Sequence, residues 1–159
     1  MPSFGATSAK KLAECDERLQ GLFNDVVKVF DCTVVTGYRG KEDQDAAVAA
    51  NKSQIMWPNG KHNRKPSLAA DVAPYSARFK QPLVGSKTQI IFISKETGRT
   101  EAATQQYIRE QYSFFAGYVL GRARSMGLVV RWLGDENRNW DTLDNKFDDL
   151  MHFELVESR

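Results

Sequence analysis

Two histidines stand out because each lies beside aspartates and an apolar, strand-like run. His62 falls in "NGKHNRKPSLAADVAPY" and His152 in "KFDDLMHFELVE". Imidazole nitrogens and a carboxylate oxygen are donors that suit zinc, and catalytic zinc sites take three protein ligands and leave a fourth position open. His62 sits in a loop entering a strand, Asp71 lies within that strand, and His152 opens the last strand. Leu68, Ala69, Ala70, Val72 and Ala73 flank Asp71, so its carboxylate is expected to be partly buried. A buried carboxylate is costly unless a cation or metal compensates it. Residue types and spacing leave two other readings open: Asp71 paired with an arginine, and His152 as a hydrogen-bonded histidine at a strand end.

The elements that must position these groups follow from periodicity. Leu12, Cys15, Leu19, Leu22, Phe23, Val26, Val27 and Phe30 recur at helical spacing, predicting one amphipathic helix over 9–30. "CTVVTG" reads as a strand and "KEDQDAAVAAN" as a short helix with an acidic first turn, suited to the helix dipole. Residues 52–67, with Pro58, Gly60 and Pro66, read as loop, and "LAADVAPY" as a strand ended by Pro74. "TQIIFIS" reads as a strand in an excursion between Gly85 and Gly98. A long helix is predicted over 101–126, with Gly117 and Gly121 admitting a close neighbour and Gly127 as its stop. "LVVRWLG" and "HFELVE" are the last strands, joined by an acidic loop. Helices mixed with non-alternating strands predict an α+β fold, a small, mostly antiparallel sheet flanked by helices.

At 159 residues, one domain over 1–159 is expected. A net charge of +2 gives no case for nucleic acid. No apolar run reaches the length of a signal peptide or a membrane span, so synthesis in a cytoplasm without membrane insertion is expected. Cys15 and Cys32 lack CxxC spacing and read as buried free thiols. "DENRNWDTLDNK" begins like a calcium loop, with Asp135, Asn137 and Asn139 in ligand positions. It then places Trp140 at the glycine and Lys146 at the bidentate glutamate, so it reads as a solvated loop with Trp140 packing or covering a cleft edge. Lys61, Arg64 and Lys65 form a small basic patch read as a solvated rim or a binding edge.

Three blocks, "TGYRGKEDQ", "KHNRKPSLAADVAPY" and "RWLGDENRNWDTLDNKFDDLMHFEL", together resemble the zinc-dependent peptidoglycan peptidases of the D-Ala-D-Ala carboxypeptidase and dipeptidase group. Within it the phage L-alanyl-D-glutamate endopeptidases used as endolysins resemble the chain most. That group has an SxHxxGxAxD block, an upstream GYR and a downstream D/E-x-x-H-F segment. The resemblance implies a hedgehog/DD-peptidase-like fold holding one Zn2+ per chain on His62, Asp71 and His152. It implies Asp149 as the catalytic carboxylate and Arg39 as a donor to substrate or to the developing oxyanion, with Ser67 and Trp132 at the substrate. The implied partner is bacterial peptidoglycan, attacked by a monomer that waits in the host cytoplasm and reaches the periplasm after the membrane is permeabilised.

The chain departs from the pattern at Gly60, where the group has serine, at Ser67, with two extra residues after His62, and at Met151, where many relatives have proline. These departures touch loop geometry and bond choice; no ligand is lost. Two rivals to Asp149 are weighed. Asp148 should face the other way and cap the next element in solvent, whereas Glu154, two beyond His152 on the same strand face, could be the base or a partner of the histidine.

Overall fold

The computed structural model describes residues 2–84, 90–93, 98–144 and 148–157. Its elements are α1 (Ala6–Leu12), α2 (Glu17–Val26), β1 (Cys32–Thr36), α3 (Lys41–Ala49), a 3₁₀ turn (Lys61–Asn63), β2 (Ala69–Ser76), β3 (Gln81–Pro82), β4 (Ile90–Ile93), β5 (Thr100–Ala103), α4 (Gln105–Ser125), β6 (Val130–Trp132) and β7 (His152–Leu155). The main sheet runs β1-β2-β7-β6, with β3 paired to the end of β2, and β4 and β5 form a separate hairpin. All these strand pairs are antiparallel, as expected of this α+β fold.

The sheet's two faces explain its sequence. Side chains alternate across a strand, so Ala70, Val72, Phe153, Leu155, Val130 and Trp132 join the apolar core. Phe153 is its centre, meeting Phe23 of α2 at 5.6 Å and Phe115 of α4 at 5.8 Å between ring centroids. Burying one such side chain stabilises the fold by about 1.5–3 kcal/mol. The opposite face carries Asp71, His152, Glu154 and Arg131. Register places Asp71 directly opposite His152, and Arg131 opposite Glu154.

Four expectations need correction. The single helix over 9–30 is two. Asp16 caps α2 through its side chain, and the intervening residues pair with Ser67, its N–H bonding to the Glu14 carbonyl at 2.9 Å and its carbonyl accepting from Asp16 at 2.8 Å. Both helices keep their stripe on one core, so periodicity runs through the break. β2 continues past Pro74, which has no N–H to place; its carbonyl accepts from Leu83. α4 starts at Gln105, because Thr104 caps it by accepting from the Tyr107 N–H while 100–103 pair with β4. Gly117 and Gly121 are exposed, and a Cβ at either would meet nothing within 4 Å, so they admit no close neighbour.

Gly127, in a left-handed conformation (φ 73°), ends α4 as expected. Cys15 and Cys32 are buried free thiols, pushed up to about 12 chiefly by burial. Gly85 and Lys146 lie outside the described residues. Among the described residues no helix is long and apolar enough to cross a membrane.

Candidate metal centre

Asp71 and His152 meet because β2 and β7 put them in register on one face, where directly opposite side chains lie about 4.5–5.5 Å apart at Cβ. His62 arrives from the 3₁₀ turn, whose backbone is tied down on both sides. Its carbonyl accepts from the Arg39 N–H at 2.9 Å, and Asn63 Oδ1 accepts from the Gly60 N–H at 2.9 Å. Nε2 of His62 lies 3.0 Å from Asp71 Oδ1 and 3.1 Å from Nδ1 of His152, which in turn lies 3.2 Å from Asp71 Oδ1. All three residues are buried, at 4%, 5% and 8% exposure for His62, Asp71 and His152.

The far nitrogen of each ring is spoken for. His62 Nδ1–H donates to the Gly37 carbonyl at 2.6 Å, and His152 Nε2–H donates to Glu154 Oε2 at 2.9 Å. With neutral rings, those bonds leave a lone pair on His62 Nε2 and another on His152 Nδ1, both aimed at Asp71 Oδ1. Three acceptors would then converge with no proton between them, which is unfavourable unless a cation, a metal ion or a proton on His152, sits at their centre. Atoms about 2.0–2.1 Å from a tetrahedral zinc stand about 3.3 Å apart, close to the spacing here. The donor set therefore fits zinc, and a carbonyl or carboxylate behind each imidazole is the usual support of a metal-ligating histidine.

The electrostatics carry the same demand for positive charge. Burial alone would lower the pKa of His152, but hydrogen bonds to Asp71 and Glu154, with the charges of Asp71 and Asp149, lift it to about 9. Burial would raise Asp71, yet the His62 charge and the two imidazole hydrogen bonds hold it well below the usual carboxylate range. Glu154, also opposed by burial, is held at about 2 by His152 and Arg131.

A cleft of about 170 Å³ opens on this cluster, and Asp149, Arg39, Arg131 and Glu154 line it with the two histidines. Asp149 ends the approach to β7: its N–H donates to the Leu133 carbonyl at 3.1 Å and its carbonyl accepts from the His152 N–H at 3.1 Å. Arg39 turns its guanidinium to Asp71 Oδ2 at 3.3 Å and to Gln44 Oε1 at 3.4 Å. The arginine pairing of Asp71 and the histidine cluster thus coexist on its two oxygens. Glu154 is buried and committed to His152 Nε2 and to Arg131, whose Nη2 and Nε lie 2.7 and 3.1 Å from Oε1.

Several expected positions move. Ser67 is fully buried, its hydroxyl 2.7 Å from the Ala69 carbonyl and 3.2 Å from that of Gly37, so it sits behind His62 and away from the cleft. Trp132 is also buried, its Nε1–H donating to the Leu150 carbonyl at 2.7 Å and its ring stacked near Phe153. Neither lines the cleft: Trp132 packs within β6, and Ser67 is held before β2 by its bridge to Cys15. Asp148 and Asp149 lie before β7 and outside any strand, so strand alternation does not set their directions; Asp148 pairs with Arg109 of α4 rather than capping an element in solvent.

The loop from Asp135 is internally bonded. The Asp135 carboxylate accepts from the N–H groups of Asn139 and Trp140, and Asp144 accepts from the Asn137 and Asn139 amides. Trp140 is 77% exposed on a different depression and neither packs nor covers the cleft. The basic patch divides, with Lys65 over the Tyr38 ring and Lys61 turned into the cleft.

Three contributors escaped the sequence reading. The Gly37 carbonyl is backbone and leaves no residue signature. Gln44 and Asn63 form a buried polar knot, Asn63 donating to Gln44 Oε1 at 3.2 Å while Gln44 donates to the Ile55 carbonyl at 2.6 Å. Only an amide on the one buried position of α3 hinted at this.

No family model matches the sequence, and no curated protein matches it. Among solved structures, the fold is similar to that of the L-Ala D-Glu endopeptidase ChiX of Serratia marcescens, with a TM-score of 0.64 over 97% of this chain and 90% of that one. Identity is 22%, so the likeness is one of fold.

Proposed function

We propose that the chain is a zinc peptidase that cuts the stem peptide of peptidoglycan between L-Ala and D-Glu. One observation carries the reading: one ligand atom from each of His62, Asp71 and His152 meets the others in a buried site where both outer ring nitrogens are already bonded. The fold likeness to an endopeptidase of that specificity and the resemblance of the three sequence blocks support the choice of substrate. Zinc bound there would make hydroxide available near neutral pH and polarise the scissile carbonyl as a Lewis acid.

The protein's part is positional. Asp149, on the cleft wall, takes the proton of the attacking water and passes it to the leaving amine nitrogen. Glu154 fixes the His152 tautomer, which removes it from the contest for the base. Arg39 orients Asp71 and presents its guanidinium to a substrate carboxylate or to the oxyanion. In this reading one domain acts as a monomeric phage endolysin, made in the host cytoplasm and lysing the cell once the membrane is permeabilised.

The test is mass spectrometry of purified peptidoglycan digested with zinc-loaded and chelator-treated protein. Chelator-sensitive release of peptides beginning with D-Glu is expected. Loss of terminal D-Ala alone would make the chain a carboxypeptidase of the same group. Zinc binding without any cleavage would leave a wall-binding module.

A further inference from the structure

The cleft does not end at the metal ligands. On the sheet, Asp71 and His152 occupy the central strands β2 and β7, Arg39 follows β1 at one edge, and Arg131 lies on β6 at the other. Between Arg131 of β6 and the end of β7 the cleft runs into a trough of about 450 Å³. The two share Lys61, Arg131 and Glu154, and the trough adds Arg138 and Glu157. The trough's lining thus carries three cations, Lys61, Arg131 and Arg138, against two carboxylates, Glu154 and Glu157. Arg131 is fixed by Glu154, which is bonded to His152, so its place relative to the cluster is set by two hydrogen bonds of 2.7 and 2.9 Å. Among the described residues, neither Lys61 nor Arg138 has a side-chain ion pair. At the β1 end the lining is Gln44, Ser53, Gln54 and Ile55. Lys52 is the cation there besides Arg39, whose guanidinium is bonded to Asp71 and Gln44.

We infer that the substrate lies across the sheet with one polarity: the D-glutamate side runs over Lys61 and Arg131 toward Arg138, and the alanine with its sugar runs toward Ser53 and Ile55. The inference rests on the peptidase reading above. Strands are about 4.8 Å apart and an extended peptide advances about 3.3–3.6 Å per residue, so the cations of β6 and beyond stand within about three residues of the cluster. On that length the stem peptide is lopsided. Its alanine side continues into an uncharged lactyl-sugar linkage. Its glutamate side carries the α-carboxylate of a γ-linked glutamate and then the carboxylate of a diamino acid. The trough's guanidinium and ammonium donors, two of them without an ion-pair partner among the described residues, match the second, whereas Lys52 alone is in that state at the other end. The trough is therefore a carboxylate-reading subsite, with Lys61 and Arg138 as its specificity determinants.

Two muropeptides decide it, one with the free α-carboxylate on D-Glu and one with that group amidated, each assayed with zinc-loaded protein and with chelator. The wild type should prefer the free acid by about tenfold in kcat/KM, the discrimination expected of one partly exposed charge-assisted contact. In the K61Q/R138Q protein that preference should shrink below about threefold, the loss appearing in KM. Equal rates for the two substrates in the wild type overturn the inference while leaving the peptidase reading intact. So does a preference that survives K61Q/R138Q but collapses in K52Q, which would mean that the substrate lies the other way round. No chelator-sensitive cleavage of either muropeptide sinks the peptidase reading, and the orientation with it.

Discussion

Replacing Glu154 with glutamine isolates the contribution of the group behind His152. The change keeps the length and an acceptor oxygen for the Nε2–H but removes the charge of a carboxylate that is 6% exposed. That carboxylate stands 2.9 Å from Nε2. The ring carries its influence to Nδ1, so a positive charge at the centre of the cluster feels it across about 7 Å. At an effective dielectric of about 20, two unit charges at that distance interact by about 2.4 kcal/mol, or roughly 60-fold in an equilibrium constant. This agrees with the 10–100-fold cost usual for losing the partner of a metal-bound histidine. Competition against a chromophoric chelator should therefore show zinc binding weakened by about 10–100-fold in E154Q, with turnover largely restored at saturating zinc. Unchanged zinc affinity with turnover still down by about a thousandfold at saturation would refute this role. Glu154 would then touch the reacting atoms, and the base would have been misassigned.

Asp149→Asn should give the converse result: zinc affinity within about threefold of wild type and kcat lower by about 10²–10⁴-fold, read by metal content and turnover together. In the zinc-free protein the pKa of His152 is raised from 6.5 to about 9. Its stabilising contribution, about 3 kcal/mol at most, is thus complete below pH 6.5 and lost as pH rises through about 9. Zinc binding commits the neutral ring, so the gap in melting temperature between loaded and chelated protein should widen from pH 6.5 to 9; a constant gap in melts at three pH values would refute this. In Gly37→Ala the added Cβ would collide with the Lys11 backbone carbonyl, on a residue whose own carbonyl holds His62. A loss of about 1–3 kcal/mol in denaturant unfolding, with weaker zinc binding, is expected. Arg109 ties the Thr142 carbonyl and Asp148 to α4. Arg109→Ala should therefore lower kcat by loosening the approach to Asp149 while leaving zinc affinity intact, measured by the same pair of assays.

The fold's legibility followed the physical reach of each signal. Apolar spacing reports which side of a segment faces the core and says nothing about whether the backbone between two such segments is continuous, so α1 and α2 merged. The signal that would have parted them was Asp16, a short polar side chain better placed at a cap than inside a helix. Gly117 and Gly121 misled for the opposite reason. A glycine in a helix shows that a side chain is missing, but only the tertiary neighbourhood shows whether anything fills the space, and here nothing does.

The three residues that converge, His62, Asp71 and His152, were legible as candidate ligands because zinc chemistry demands both residue type and position, and burial of a lone aspartate among alanines is itself a constraint. What held them was not. Glu154 could be narrowed to two roles by strand alternation, but choosing between them needed the register that sets Arg131 opposite it and so turns one carboxylate oxygen to Arg131 and the other to His152. Gly37 supplies a carbonyl that any residue possesses; its identity matters only because a Cβ there would strike α1. Ser67 and Trp132 were assigned to the substrate by their place in a motif, yet burial shows that a motif can conserve the spacing of a strand as readily as a contact with a ligand. Residue type therefore locates the acceptors that meet at a cation, whereas the direction of each lone pair is fixed by backbone and register. That is why the Glu154 and Gly37 substitutions, which act on the backs of the two imidazoles, are expected to report on the site through zinc affinity before they report through turnover.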